Sequence, residues 1–225
     1  MSGGDKQIRD ENMDNNAQRL GRARLVPEAG PRYGRVMILL RHGQSEFNLH
    51  FAATRRDPGI VDPRLTELGH AQAEAAAVAL AERAAAGEPI TRIVVSPYTR
   101  ALQTARPVAR ALGVPVVIDT LVCERFAFAC DVGTPRATLE QEWPEHDFSA
   151  IDDVWWPREE ESEASIVARA AQFRSAVAER HDWPHTLVVS HWGFILSMTG
   201  QSAMNGQWLR CDPTQPGPER LVWRA

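Results

Sequence analysis

The sequence has few cysteines, little excess charge and no long apolar run. Its 225 residues include only 3 cysteines, too few for a disulfide framework, so we expect a reducing, cytoplasmic setting. The formal net charge of -4 argues against a nucleic-acid partner bound through a global basic field. No run approaches the roughly 20 apolar residues of a membrane-spanning helix, and the first residues lack the apolar core of a secretory signal. We therefore expect neither a membrane nor a nucleic-acid partner.

The chain divides into a polar tail and one α/β domain. Residues 1–33 carry scattered charge without periodicity, which predicts a disordered tail. Across residues 34–225, strand and helix patterns alternate, and this order predicts a three-layer α/β/α sandwich with a mainly parallel sheet. Residues 121–158 break the rhythm, so we interpret them as an inserted lid. The tryptophans of this insert are expected to pack a small core rather than cover a substrate; they are Trp143, Trp155 and Trp156.

Continuous apolar runs predict the strands, and capping residues predict the helix ends. Buried strands are predicted at 36–40, 90–95, 115–119 and 186–189, with two further strands around 207–211 and 221–224. Helices are predicted at 67–86, between Thr66 and Gly87, and at 99–112, before Gly113. A later helix opens at 159–163 and has an apolar stripe formed by Ile166, Ala170, Phe173 and Val177.

Two of the predicted strands end in a histidine that is followed by a helix. His42 comes after the first strand, directly behind Arg41, and His191 comes after the last of the buried strands. Because open α/β sheets bind ligands at the carboxyl ends of their strands, both histidines belong at one edge. Arg100 follows the second strand and brings another cation there. Guanidinium groups and helix N-termini bind phosphate, and neutral imidazole is a nucleophile, so this pattern indicates phosphoryl transfer.

Four motifs extend this pattern in a fixed order. They are RHGQSEFN at 41–48, LTELGHAQA at 65–73, SPYTRALQTA at 96–105 and SHWG at 190–193. In sequence and spacing they resemble the histidine phosphatase superfamily, also called the phosphoglycerate mutase-like family, over about residues 35–200. The resemblance implies the phosphoglycerate mutase-like fold and the hydrolysis of a small-molecule phosphate ester.

The resemblance also implies roles for individual residues. The implied catalytic residues are His42 as the nucleophile that forms phosphohistidine, Glu124 as proton donor and later general base, and His191. The implied phosphate-binding residues are Arg41, Asn48, Arg100 and His191. Neither a metal nor a cofactor is implied, since the arginines supply the positive charge that magnesium supplies in other phosphoryl-transfer sites.

Several alternatives stay open. Glu46 is a rival for the role of proton donor, and a salt bridge to Arg125 or another arginine is the alternative role of Glu124. Residues 49–64 do not resemble the long loop of cofactor-dependent mutases, which favours a phosphatase over phosphoglycerate mutase-type phosphoryl transfer. A non-catalytic phosphate-binding module is the third alternative. Trp192 stands where the family has a small residue, so we expect an aromatic side chain at the pocket rim. A monomer and a homodimer both stay open.

Overall fold

The computed structural model describes residues 35–218 and 221–223, and the predicted disordered tail at 1–33 lies outside them. The strands are β1 (Met37–Arg41), β2 (Arg92–Val95), β3 (Val116–Ile118), β4 (Thr186–Ser190) and β5 (Trp208–Cys211). The α-helices are α1 (Glu46–Thr54), α2 (Glu67–Ala85), α3 (Thr99–Leu112), α4 (Arg136–Glu142), α5 (Glu163–Ala178) and α6 (Trp192–Thr199). None of the helices described here combines the length and apolar character needed to cross a membrane.

The strands form one mainly parallel sheet, as predicted. Their order is β3-β2-β4-β1-β5. The pairs β1–β4, β2–β4 and β2–β3 are parallel, and the edge strand β5 is antiparallel to β1. Arg41 lies opposite Ser190, and Val95 lies opposite Val189. This register brings the carboxyl ends of β1, β4 and β2 side by side, so three of the four motifs meet at one edge.

Side chains of the central strands alternate between two apolar cores. Ile38 and Leu40 pack into the core that includes α2 and α3. Met37 and Leu39 pack into the core that includes α5 and α6. Successive strand residues point to opposite faces, so a strand covered on both faces needs apolar residues throughout. The two cores confirm the three-layer sandwich.

The helix predictions are most accurate where a capping residue is present. Thr66 Oγ1 accepts the backbone N–H of Gly69 at 3.1 Å, and α2 begins at the next residue, Glu67. The helix α3 has the predicted bounds and ends at Gly113, whose φ of 65° is left-handed. The α5 stripe is buried as predicted; its members are Ile166, Ala170, Phe173 and Val177.

The C-terminal strand prediction is wrong for residues 221–223, which have no regular structure. Trp223 does not enter a strand pairing but packs against Trp192, with ring centroids 5.7 Å apart. The insert at 121–158 contains α4 and short 3-10 turns, and it packs onto the first core. Trp143 is buried there, which agrees with the packing role expected of the insert tryptophans.

Candidate active site

The two histidines at the strand ends lie together, although they are nearly 150 residues apart in the sequence. His42 donates its backbone N–H to Ser190 O at 3.0 Å, which fixes the end of β1 against β4. The ring centroids of His42 and His191 are 5.1 Å apart. Both side chains are buried, with exposed fractions of 3% and 0%. The prediction that His42 and His191 meet at one edge of the sheet is therefore confirmed.

The hydrogen bonding of His42 identifies its free nitrogen. Nδ1 lies 2.7 Å from the carbonyl oxygen of Gly43. A carbonyl can only accept, so Nδ1 carries the proton and Nε2 keeps its lone pair. Burial lowers the pKa of His42 well below 6.5, and the charges of Arg100 and Arg41 lower it further. The ring is thus neutral near pH 7, with Nε2 as its nucleophilic atom.

His191 has a buried partner that the sequence analysis gave no role. Its Nε2 lies 2.8 Å from Ser96 Oγ, and its Nδ1 is buried without a hydrogen-bond partner in the described chain. Ser96 Oγ also accepts the backbone N–H of Tyr98 at 3.5 Å. The Cys123 thiol lies 3.5 Å from the same oxygen. Burial raises the pKa of this thiol to about 12, so it stays protonated.

This arrangement allows Ser96 to donate its single hydroxyl proton to Nε2 of His191. Nδ1 then carries the ring proton and becomes a hydrogen-bond donor. Burial lowers the pKa of His191 well below 6.5, and nearby Arg100 and His42 lower it further, so the ring is neutral. A neutral donor with no protein partner suits an anion bound beside His42.

The two arginines predicted to bind phosphate both reach this edge. Arg41 donates from Nη1 to Ala203 O at 2.8 Å, while its Nε is buried without a described partner. Burial lowers the pKa of Arg41 to about 10, so it remains charged near pH 7. Arg100 donates from Nη1 to Cys130 O at 2.7 Å and pairs through Nη2 with Asp131 at 3.1 Å.

Asp131 ties the insert to Arg100. It is 1% exposed, and its Oδ2 accepts the backbone N–H groups of Ala127 and Phe128, each at 3.1 Å. Its backbone oxygen accepts the Tyr98 hydroxyl. A buried arginine needs a counter-charge, and Asp131 supplies it from a segment where the sequence shows no pattern. Sequence analysis missed this residue for that reason.

The carboxylate of Glu124 lies beside the first turn of α6. Its Oε1 and Oε2 lie 2.9 and 3.2 Å from the backbone N–H of Gly193, and Oε1 also accepts the N–H of Arg125 at 2.8 Å. Burial raises the pKa of Glu124, and Asp131 raises it further. A Cβ at Gly193 would lie 2.4 Å from Oε1, so this carboxylate position requires glycine there.

The structure bears on both alternatives for Glu124, namely its salt bridge to Arg125 and the use of Glu46 as proton donor. The guanidinium of Arg125 pairs with Glu160 at 2.8 Å rather than with Glu124, so the alternative salt bridge is not formed. Glu46 is exposed, and its carboxylate accepts the backbone N–H of Arg64 at 3.2 Å. Glu46 therefore holds the loop at Arg64, whereas the charge of Glu124 acts on Arg41, where it partly offsets the lowering of the arginine pKa.

Asn48 helps to hold the segment that follows His42 in the chain. Its Oδ1 accepts the backbone N–H of Ser45 at 3.1 Å and so caps α1. The same oxygen accepts from Asn205 Nδ2 at 3.0 Å, and Asn205 Nδ2 also lies 3.1 Å from His42 O. Only the amide nitrogen of Asn48 therefore remains for a ligand. Asn205 was not predicted, since it lies far along the chain in a loop.

Comparison with known proteins decides the family. A model described as "Histidine phosphatase superfamily (branch 1)" matches residues 37–212. The chain belongs to this superfamily. A glucosyl-3-phosphoglycerate phosphatase from Mycolicibacterium vanbaalenii is 32% identical over 180 residues, which cover 73% of this chain and 72% of the relative. The same-named protein from Mycobacterium tuberculosis is 29% identical over 174 residues, 73% of this chain and 74% of the relative.

Similarity to solved structures supports the same family. A mycobacterial glucosyl-3-phosphoglycerate phosphatase in complex with VO3 is 26% identical, with a TM-score of 0.55 over 78% of this chain and 90% of that chain. This histidine phosphatase is therefore a phosphoric monoester hydrolase with the fold of its relatives. In the part of the chain that the structure describes, no three His, Cys, Asp or Glu side chains are grouped to hold a metal ion.

A second ion pair holds the Glu124 segment of the phosphatase in place. Arg169 on α5 pairs with Glu161 at 2.7 Å. Its Nη1 donates to the carbonyl oxygens of Leu121 and Cys123, both at 2.8 Å, and its Nη2 donates to Glu124 O at 3.2 Å. Three hydrogen bonds from Arg169 to backbone carbonyls thus fix the segment that contains Glu124. No pattern in the sequence identified Arg169.

Proposed function

We propose that this phosphatase hydrolyses a small phosphorylated metabolite through a phosphohistidine at His42, without a metal. The observation that carries the proposal is the neutral, buried imidazole of His42, whose Nδ1 is bonded to Gly43 O and whose Nε2 is free. Arg41, Arg100 and His191 Nδ1 supply two charges and one neutral donor beside it. Such groups stabilise the charge that develops on a transferring phosphoryl group.

In the first step, the lone pair of His42 Nε2 attacks phosphorus and forms the P–N bond. The bond between phosphorus and the ester oxygen breaks, and this oxygen takes the proton of Glu124. The raised pKa of Glu124 supports this role, because burial and the nearby Asp131 favour the protonated form of this carboxyl.

In the second step, the Glu124 carboxylate takes a proton from water, and the water oxygen attacks phosphorus. The P–N bond breaks, and its electron pair returns to Nε2. Inorganic phosphate leaves, Glu124 is again protonated, and His42 is again neutral. Half-burial of Glu124 supports this step, because a fully closed carboxylate would exclude the water.

The names of the mycobacterial relatives make glucosyl-3-phosphoglycerate the first substrate to test. Three unpaired, buried cysteines agree with the proposed cytoplasmic setting.

Phosphate release from a panel of esters in EDTA tests the proposal. The panel contains glucosyl-3-phosphoglycerate, 3-phosphoglycerate, glucose 6-phosphate, a nucleotide and an aryl phosphate. His42→Ala should abolish release, and His70→Ala should not, because His70 is an exposed residue of α2. Acid-labile phosphate should be trapped on wild-type protein during turnover and be absent from His42→Ala.

Other results would contradict the proposal in different ways. Release that EDTA removes would exclude the metal-independent mechanism. Phosphoryl exchange that needs a bisphosphate primer and yields little free phosphate would indicate a mutase. Folded protein that binds phosphate but releases none from any ester would indicate a non-catalytic module.

A further inference from the structure

The deep end of the site is closed, so the remainder of a substrate must lie toward its more exposed side. His42, Arg100 and His191 are all at most 3% exposed. Glu124 and Trp192 are half-buried, and both adjoin Gly193. The ester group that leaves with Glu124's proton must therefore extend past this carboxyl toward solvent.

Two tryptophans stand beside Glu124 at this point. The Cβ position of Gly193 that lies 2.4 Å from Glu124 Oε1 lies 3.4 Å from Cζ3 of Trp223. The Trp223 indole and the Glu124 carboxylate thus lie on the same side of Gly193. The Trp192 and Trp223 rings meet nearly edge to face at 67°, and both are half-buried. They leave an aromatic surface partly open to solvent.

Polar groups surround this aromatic surface. The Arg125 guanidinium lies over the Trp223 ring, 5.5 Å from its centre. The Trp192 indole N–H donates to Ser202 Oγ at 2.8 Å. The Trp223 indole N–H is without a hydrogen-bond partner among the described residues. An aromatic surface with a guanidinium and a serine hydroxyl beside it matches a sugar ring, which has an apolar C–H face and a hydroxylated rim.

From this geometry we infer that Trp223 and Trp192 form a subsite for a sugar ring in the leaving group. A general acid must lie about 2.6–3.2 Å from the oxygen that it protonates. The leaving group that begins at that oxygen then starts on the side of Glu124 where Trp223 lies. The inference rests on the proposed function, since it uses Glu124 as the proton donor, and it adds the residues that select the substrate.

Paired esters separate ring recognition from the chemistry. Glucose 6-phosphate and glycerol 3-phosphate both release a primary alcohol, with and without a sugar ring. Benzyl phosphate and butyl phosphate form the second pair, with and without an aryl ring. For the wild type we expect kcat/KM to be about tenfold higher for glucose 6-phosphate than for glycerol 3-phosphate. An equal preference for benzyl phosphate over butyl phosphate would overturn the assignment to a sugar in favour of any flat ring.

Substitutions at the two tryptophans test their role. Trp223→Ala should lower kcat/KM about tenfold for glucose 6-phosphate and less than twofold for glycerol 3-phosphate. Trp223→Phe keeps an apolar ring and should recover much of the loss, and Trp192→Ala should act in the same direction. Trp156→Ala is the matched control, because Trp156 is another half-buried tryptophan, which packs on Trp155 of the insert. It should leave the sugar preference unchanged.

Two further results would overturn the inference. An equal loss for both esters in Trp223→Ala would mean that Trp223 only supports Glu124. No sugar preference in the wild type would mean that the tryptophans bind no ring. Both results are distinct from failure of the proposed function, in which His42-dependent release would be absent for every ester.

Discussion

Replacing Ser96 with alanine tests whether a buried hydroxyl sets the proton position on His191. Ser96 Oγ is 0% exposed and lies 2.8 Å from Nε2, the only hydrogen bond found for this ring in the described chain. A neutral hydrogen bond contributes about 1 ± 0.5 kcal/mol, and 1.4 kcal/mol corresponds to a factor of about ten. Loss of this bond should lower the ratio of Nδ1-protonated to Nε2-protonated His191 about fivefold, and kcat/KM should fall by up to a similar factor.

Steady-state kinetics on one ester, with vanadate or phosphate inhibition, give the first measurement. Nitrogen chemical shifts of the His191 ring in ¹⁵N-labelled protein give the second, because protonated and bare ring nitrogens differ strongly. Ser96→Thr keeps the hydroxyl and should recover most of the activity. Ser197→Ala is the matched control, since Ser197 is a buried serine that donates to Gly193 O at 2.9 Å.

Ser96 does not set the proton position on His191 if Ser96→Ala keeps wild-type kcat/KM. The same conclusion follows if the phosphate-bound wild type has its His191 proton on Nε2. A lower melting temperature with unchanged kinetics would assign Ser96 a structural role only.

Three further substitutions address the other half of the site. Glu124→Gln should slow alkyl esters by about 10²–10⁴ and aryl esters less, whereas Glu46→Gln should not. Because the pKa of Glu124 is raised and its acid form is required, wild-type kcat/KM should decline as pH rises through that pKa, and Glu124→Gln should lack this decline. Asp131→Ala leaves the buried charge of Arg100 uncompensated and should cost about 3–5 kcal/mol in the free energy of unfolding. Added phosphate should then raise the melting temperature of Asp131→Ala more than that of the wild type. Gly193→Ala should displace the Glu124 carboxylate and reproduce the leaving-group dependence of Glu124→Gln; unchanged alkyl-ester kinetics would contradict the assigned contact.

The sequence was sufficient where a local signal determines the structure. Thr66 and Gly113 mark the ends of two helices through hydrogen bonding and a left-handed φ, and both effects act within a few residues. His42 and His191 were located together for a different reason. Parallel strands end at one edge, so a residue type at each strand end is enough to predict proximity.

The partners of those residues could not be predicted in this way. Asp131 reaches Arg100 from an insert without periodicity, and Asn205 bonds to His42 O from a loop 163 residues away. Both contacts depend on how loops pack. The strand predicted at 221–224 is wrong for the described residues 221–223, because an apolar segment also suits aromatic packing and Trp223 packs on Trp192.

The site consists of two parts, one held by hydrogen bonds of the sheet and the other by side-chain contacts. His42, Ser96 and His191 follow the ends of three adjacent strands, and sheet hydrogen bonds fix their backbone. The segment 123–131 provides both Glu124 and the counter-ion of Arg100, and it depends on side-chain contacts such as that from Arg169 to Glu124 O. A shift of this segment would move the proton donor and change the charge balance at the phosphate together. Changes within 125–130 should therefore alter kcat and KM jointly, whereas changes at Trp223 should alter the choice of leaving group alone.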